Sequence, residues 1–376
     1  MHLAVLVAAA SLPIVVPAAA AAPTCFGQRA TIVGGGRIVG TDGDDVIVGS
    51  KYDDLIQARG GKDLVCALDG EDYVQAGRGN DRVKAGRGSD YTIYGGHGHD
   101  LLLGGDGDDY LLGGRHGDHV VGGQGDDQLN GEEGWDDVKG SAGNDRMLGE
   151  SGNDVLDGGP GGQDDVWFYE TWDDIDYDAG SVSVDLAAGT ASGPDGADTL
   201  SGFERLFGST GKDTLSGTAS ADYIDGLGGD DTIAGRDGDD TLRDDGEGYA
   251  GRGAHMENGD DTVEGGAGID WVVYGATSVS VDLAAGTATG QGDDSLVHIE
   301  NVRGSLKADS ISGDDASNVL EGNRGDDSME GRAGDDFLHG GWHDDSLDGG
   351  AGTDTLDGAR DTDSCTDGED VRNCEE

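Results

Sequence analysis

The sequence predicts an all-β fold: a parallel β-roll, or β-helix solenoid, of Gly/Asp-rich nonapeptide repeats. Three observations carry that prediction. The first is a nine-residue rhythm of aspartates. Asp45, Asp54, Asp63, Asp72, Asp81 and Asp90 are nine apart, and after a slip of one residue Asp100, Asp109, Asp118, Asp127, Asp136, Asp145 and Asp154 continue. Later runs are Asp213, Asp222, Asp231 and Asp240; Asp261 and Asp270; and Asp309, Asn318, Asp327, Asp336, Asp345, Asp354 and Asp363. The second lies two residues beyond each aspartate, where Leu102, Leu111, Val120, Leu129, Val138, Met147 and Leu156 stand in one run and Ile311, Leu320, Met329, Leu338, Leu347 and Leu356 in another. Flanked by mixed residues, each reads as the single inward side chain of a three-residue strand. The third is glycine, 74 of 376 residues, crowded ahead of each aspartate as in "GGDGDDYLL" from Gly104.

One such unit cannot bury its apolar residue; stacked units can. Two units make a coil of eighteen residues, with a strand on each side and a turn at each edge. Asp109, Asp127 and Asp145 then line one edge and Asp100, Asp118, Asp136 and Asp154 the other, one strand spacing (about 4.8 Å) apart. Carboxylates stacked so closely repel, so a cation belongs between them. Carboxylate and turn carbonyl oxygens make a hard-cation site, and calcium takes six to eight such ligands.

Composition agrees. The chain has 23 basic and 78 acidic residues, a net charge of −55, with 34% hydrophobic and 5% aromatic residues. So little apolar material cannot alone offset the entropy of ordering. The charge opposes binding to nucleic acid or to anionic membranes and favours cations as partners.

Units such as "GGDGDDYLL", "GGQGDDQLN" and "GGAGTDTLD" resemble the Gly-Gly-x-Gly-x-Asp-x-apolar-x nonapeptide of the RTX, or hemolysin-type, calcium-binding repeat family. The resemblance covers most of the chain from about residue 40. It implies a calcium-dependent parallel β-roll with several Ca2+ ions held between successive turns of an edge. It implies that sixth-position aspartates are ligands: Asp45, Asp63, Asp72, Asp81, Asp90, Asp100, Asp109, Asp118, Asp127, Asp136, Asp145 and Asp154 in the first block; Asp213, Asp231, Asp240, Asp261 and Asp270 in the second; Asp327, Asp336, Asp345 and Asp354 in the third. Some units depart from the pattern. Asn318 replaces an aspartate, "GSKYDD", "GTASAD" and "GSLKAD" lack the second turn glycine, and His116 and His343 occupy that glycine's place. Weak ion binding, or none, is expected there.

Taken in order, residues 1–21 read as a secretory signal peptide, an apolar run followed by small residues, although no Lys or Arg precedes the run. It is too short and too proline-broken for a membrane anchor, and no later segment could span a bilayer. Residues 22–39 form an N-terminal cap and 40–157 the first β-roll. Residues 158–208 are an insert coil, 209–273 resume the repeats with a loop at 243–259, and 274–304 are a second insert coil. The inserts are duplicates: "YDAGSVSVDLAAGTASG" from Tyr177 matches "YGATSVSVDLAAGTATG" from Tyr274, with Glu204 and Glu300 in equivalent places. They read as irregular coils continuing the solenoid. Residues 305–363 are the last β-roll and 364–376 a C-terminal cap. Four cysteines after a signal peptide suggest disulfides, and pairing Cys25 with Cys66 and Cys365 with Cys374 closes the two shortest loops. Zinc is the alternative, but no Cys-x-x-Cys spacing supports it.

The chemistry this predicts is binding, not catalysis. There is no His-Glu-x-x-His and no Gly-x-Ser-x-Gly. The expected role is a secreted, extracellular calcium-binding protein with a structural or surface-interaction function, its further partner a cell-surface or extracellular polymer. The alternative is a hydrolase or glycan-binding protein using the aromatic insert "DDVWFYETWDDIDY" at 164–177, which also reads as apolar filling where the period is lost. His97, His99, His116 and His119 fall on turns of one edge and raise a transition-metal site as an alternative to exposed loop residues.

Overall fold

The computed structural model describes residues 22–160, 163–167, 180–243, 259–275 and 277–374. Among them every regular element is a strand, and no helix is long and apolar enough to cross a membrane. The expected signal peptide, the loop interior and most of the aromatic insert lie outside the described residues.

The nine-residue period becomes two parallel rows of strands wound into one roll. Tyr110–Arg115 pairs in parallel with Gln128–Gly134, two units on, while His119–Gln124 pairs with Asp137–Ala142 in the opposite row. Leu111 aligns with Leu129 and Val120 with Val138. The predicted inward residues are buried throughout, from Ile47 and Ile56 to Leu338 and Leu356. They form one continuous column of apolar side chains, which is how single residues that could not exclude water alone do so together. The one-residue slip in the rhythm is absorbed by Tyr91. It stands 66% exposed just after Asp90, and Thr92 and Ile93 resume register with Tyr73 and Val74.

The inserts are more regular than the sequence reading allowed. One row of strands runs straight through them: Asp165–Trp167 pairs in parallel with Arg205–Phe207, which pairs with Tyr223–Asp225. In the other row the chain doubles back. Gly196–Ser201 and Ser183–Asp185 both pair antiparallel with Thr190–Gly193, before Ser183–Asp185 meets Thr214–Ser216 in parallel. The second insert repeats this with Ser280–Asp282, Thr287–Thr289 and Asp293–Val297. The cause is the tight turn Asp185–Thr190: Asp185 accepts from the Ala188 N–H, and Gly189, at φ +68°, donates to Leu186. Such a turn reverses a strand and so imposes antiparallel pairing.

Both predicted disulfides are formed. Cys25–Cys66 ties the antiparallel hairpin Thr24–Cys25/Gln28–Arg29 to the outer face of the first coils, where Val46 and Val48 pack against it. At the other end Ser364–Thr366 and Asp370–Arg372 add a last coil, closed by Cys365–Cys374.

Candidate metal centre

The roll has two edges, and each carries a column of buried aspartates joined coil to coil. On one edge the N–H of Asp100 donates to Asp118 Oδ1 at 2.7 Å and that of Asp118 donates to Asp136 Oδ1. On the other, Asp109 donates to Asp127 Oδ1 at 2.8 Å and Asp127 to Asp145 at 2.9 Å. Consecutive aspartates such as Asp109 and Asp118 fall on opposite edges, as a two-unit coil requires. The same ladder runs from Asp45 through Asp63 and Asp81, from Asp72 through Asp90, from Asp213 through Asp231 to Asp261, from Asp240 to Asp270, and from Asp327 to Asp345 and Asp336 to Asp354. All the predicted site aspartates thus stand on the edges.

Each ladder uses only one carboxylate oxygen. Oδ2 of Asp63, Asp72, Asp81, Asp90, Asp100, Asp109, Asp118, Asp127, Asp136, Asp145 and Asp154 is buried without a hydrogen bond, and so is Oδ2 of Asp231, Asp240, Asp270, Asp327, Asp336, Asp345 and Asp354. An unpaired buried carboxylate oxygen is among the costliest things a fold can contain. Burial accordingly lifts the carboxyls of Asp118, Asp127 and Asp231 to about 8 and those of Asp63, Asp90 and Asp136 to about 7, against the backbone hydrogen bond that lowers each.

The space beside these atoms suits a small hard cation. A Cβ on Gly113 would sit 2.8 Å from Asp118 Oδ2 and 2.6 Å from the Gly131 carbonyl of the next coil. Carboxylate and carbonyl oxygens from two stacked turns therefore converge where only glycine leaves room. Gly114, at φ +119°, turns the backbone through the left-handed region to make that cradle. Among the described residues no three His, Cys, Asp or Glu side chains cluster around one point. Such a site draws one carboxylate per turn and takes its remaining ligands from the main chain. That donor set, all oxygen and partly anionic, fits calcium.

His116 and His343 keep the left-handed conformation of the glycine they replace, at φ +78° and +86°, and Asp118 and Asp345 beside them keep an unpaired Oδ2. Among the described residues the histidines join no group of three that could hold a metal. His99 Nδ1 contacts the Gly117 carbonyl, His116 Nδ1 its neighbour's carbonyl at Arg115, and His119 the Asp137 carboxylate. In the aromatic insert, Trp167 is buried and stacked on Phe207 at 3.9 Å, which is apolar filling; residues 168–177 lie outside the described residues.

Sequence reasoning missed two features. A second, exposed column runs alongside through the fifth position, with hydrogen bonds in the opposite sense. Asp126 donates its N–H back to Asp108 Oδ1, and Asn144 donates to Asp126 Oδ1. Paired Asp-Asp and Asn-Asp dipeptides were its signal. The ladders also end in a fixed way. Asp154 donates to Asp198 and Asp164 to Glu204; Asp261 donates to Asp294 and Asp270 to Glu300; Asp345 donates to Asp363 and Asp354 to Glu369. Each end is an Asp and, six residues on, a Glu, in "DTLSGFE", "DSLVHIE" and "DSCTDGE". The C-terminal tail therefore begins with the motif on which the two inserts end.

The geometry defines a class: a solenoid whose edges are columns of carboxylates arranged for hard cations. The model of the RTX calcium-binding nonapeptide repeat family matches residues 39–74, 67–91, 92–111, 112–147, 130–162, 207–242, 257–273, 299–329, 312–343, 321–356 and 333–364, more than half of the chain. The chain belongs to that family and is a calcium-binding repeat protein. No curated protein matches it.

Proposed function

We propose that this protein is a secreted structural or surface-interaction protein whose roll folds when calcium enters its edges. The observation that carries the reading is the double column of buried, unpaired Oδ2 atoms. The sixth-position aspartates from Asp63 to Asp154, and their counterparts in the later blocks, would hold the ions, with main-chain carbonyls of the adjoining turns beside them. Bound Ca2+ supplies the positive charge that these carboxylates lack. Each aspartate N–H meanwhile holds the neighbouring carboxylate in place through Oδ1, so coil stacking and site formation are one event.

Secretion fits this reading. Millimolar calcium outside cells matches sites of modest affinity, and disulfides persist in oxidising surroundings. The negative surface favours an outer-surface or extracellular polymer as partner over nucleic acid. The experiment is a calcium titration in chelated protein followed by circular dichroism, scattering and calorimetry. Calcium should convert an expanded chain into a compact β-rich rod, and magnesium should do so poorly because it demands stricter geometry. An identical compact shape in excess chelator rejects the reading. Glycan binding and turnover, assayed with and without calcium, separate this role from the hydrolase or lectin alternative.

A further inference from the structure

Among the described turns of the three blocks, six pair the sixth-position side chain with an N–H of their own second residue, and they are the first two turns of each block. In the first block Thr41 donates its N–H to Asp45 Oδ2 at 2.7 Å and its hydroxyl at 3.0 Å, and Ser50 does the same job for Asp54 with its N–H at 2.6 Å. In the second, Ser209 N–H reaches Asp213 Oδ2 at 2.6 Å and Thr218 N–H reaches Asp222 Oδ2 at 2.5 Å, each with its hydroxyl on the same carboxylate. In the third, Ser305 N–H and hydroxyl hold Asp309, and Asp314 N–H donates to Asn318 Oδ1 at 2.9 Å.

The backbone separates these turns from the rest. In the other described turns within the blocks the second position has a positive φ whatever residue fills it: Gly105 at +134°, Arg59 at +84°, Glu132 at +68°, Asn323 at +71°. None of Thr41, Ser50, Ser209, Thr218, Ser305 and Asp314 does. Ser141 is the control. It is a serine at the second position in mid-block, yet it stands at φ +89°, donates its N–H to the next coil at Gly158, and leaves Asp145 Oδ2 unpaired. The opening turns instead direct that N–H into their own carboxylate, supplying from the chain what the other turns lack.

Blocks two and three add a resident cation. Arg236, in the turn after Thr218 on the same edge, donates to the Gly217 carbonyl at 2.9 Å and grips Asp185 of the insert hairpin with both terminal nitrogens at 2.8 and 2.7 Å. Arg332, one coil after Asp314, grips Asp282 of the second hairpin in the same way at 2.8 Å. The duplicated insert, the opening coil and the arginine thus make one repeated module.

We propose that the opening coil of each block is a calcium-independent seed, on which the calcium-linked coils of that block stack. This rests on the calcium-driven reading of the other coils. Asp45 and Asp213, expected as ion ligands from the family resemblance, become members of the seeds. The test is hydrogen exchange of the full chain in excess chelator, read by mass spectrometry. Amides of residues 40–54, 208–222 and 304–318 should exchange at least about tenfold more slowly than those of 95–154, and calcium should then protect 95–154. The paired substitutions Ser209→Gly and Thr218→Gly should bring 208–222 down to the level of 95–154 in chelator while leaving its protection in calcium. Equal exchange of seeds and other coils in chelator overturns the inference, whether or not the variant folds. An exchange map that calcium changes nowhere overturns the function proposed above instead, so the two failures are distinguishable.

Discussion

Asp127 and Asp213 hold the same place in their nonapeptides, are equally buried, and meet different fates. Asp127 receives one hydrogen bond, from Asp109, and keeps an unpaired Oδ2. Asp213 receives Val182 N–H on Oδ1 and both donors of Ser209. The difference is a backbone rotation at the second turn residue. It teaches that the nonapeptide has two solutions to a buried carboxylate. One leaves the charge for an ion and lets turns stack without limit. The other satisfies the charge locally and serves where stacking begins.

Protons should blur this difference, and that is the largest effect expected. The carboxyls of Asp118, Asp127 and Asp231, lifted to about 8, and those of Asp63, Asp136 and Asp154, lifted to about 7, are raised above the unfolded value of 3.8, with burial the leading cause. A raised carboxyl pKa means that the fold binds protons more tightly than the unfolded chain does. Its contribution to stability is full below about pH 4 and is lost as pH rises through 6 to 8. Chelated protein should therefore be compact and β-rich at about pH 4 and expand as pH passes 6 to 8, with calcium abolishing the transition. Circular dichroism across that range checks it; a flat profile in chelator would mean that the unpaired oxygens are not what opens the roll.

Next in size is a direct exchange of roles. Asp127→Asn keeps the Oδ1 acceptor for Asp109 and removes the charge. It should cost at least the 10- to 100-fold typical of losing a supporting group at a metal site. Asp213→Asn should leave calcium affinity and stoichiometry unchanged. Calorimetry on both variants decides, and equal losses would erase the distinction between the turns.

How much of this was legible in the sequence follows from the same contrast. The period, the inward residues, the two edges and both disulfides were readable, because a spacing of nine with one apolar position has one way to bury it. Leu111 and Val120 could be placed without coordinates. The antiparallel hairpins were not, because Ser183–Asp185 and Thr190–Gly193 carry no period-nine signal and their pairing is fixed by the turn between them. Nor were the self-paired carboxylates. Ser50 and Ser141 are the same residue at the same position, and only the backbone angle, set by the surrounding coil, tells them apart. The closing Asp and Glu escaped because they are six residues apart in a chain read in nines.

Block ends give a smaller effect. The inserts close the first two blocks with Phe203 and Ile299, buried three residues beyond Leu200 and Leu296. The tail has Gly368 at the matching place and uses the Cys365–Cys374 bond instead. A loop that short contributes about 2 to 3 kcal/mol in the chain-entropy account. Replacing both cysteines by serine should fray Thr355–Ala359 and Ser364–Thr366 and promote end-to-end association through the uncovered strands, with the first two blocks untouched. Exchange mass spectrometry and sedimentation at several concentrations check it; unchanged protection at the C-terminus would make the bond dispensable.

The smallest effect probes the one seed turn that has lost its carboxylate. Asn318 accepts from Asp314 N–H through Oδ1 and donates through Nδ2 to the Glu300 carbonyl at 2.8 Å. The amide does here what no carboxylate could, since an aspartate has no donor for that carbonyl. Asn318→Asp would restore the repeat consensus and yet place a carboxylate oxygen against a carbonyl oxygen in a buried turn. Leaving such a group unpaired costs about 1 to 3 kcal/mol. In chelator the third block should therefore lose stability, seen as faster exchange across residues 304–320. In calcium the same variant should recover, because the added charge recreates the oxygen pair found at the ion-type turns. A variant that is destabilised equally in both conditions would show that position 318 is a packing site. Recovery confined to calcium would show that a carboxylate at 318 takes an ion once its donor to the Glu300 carbonyl is lost.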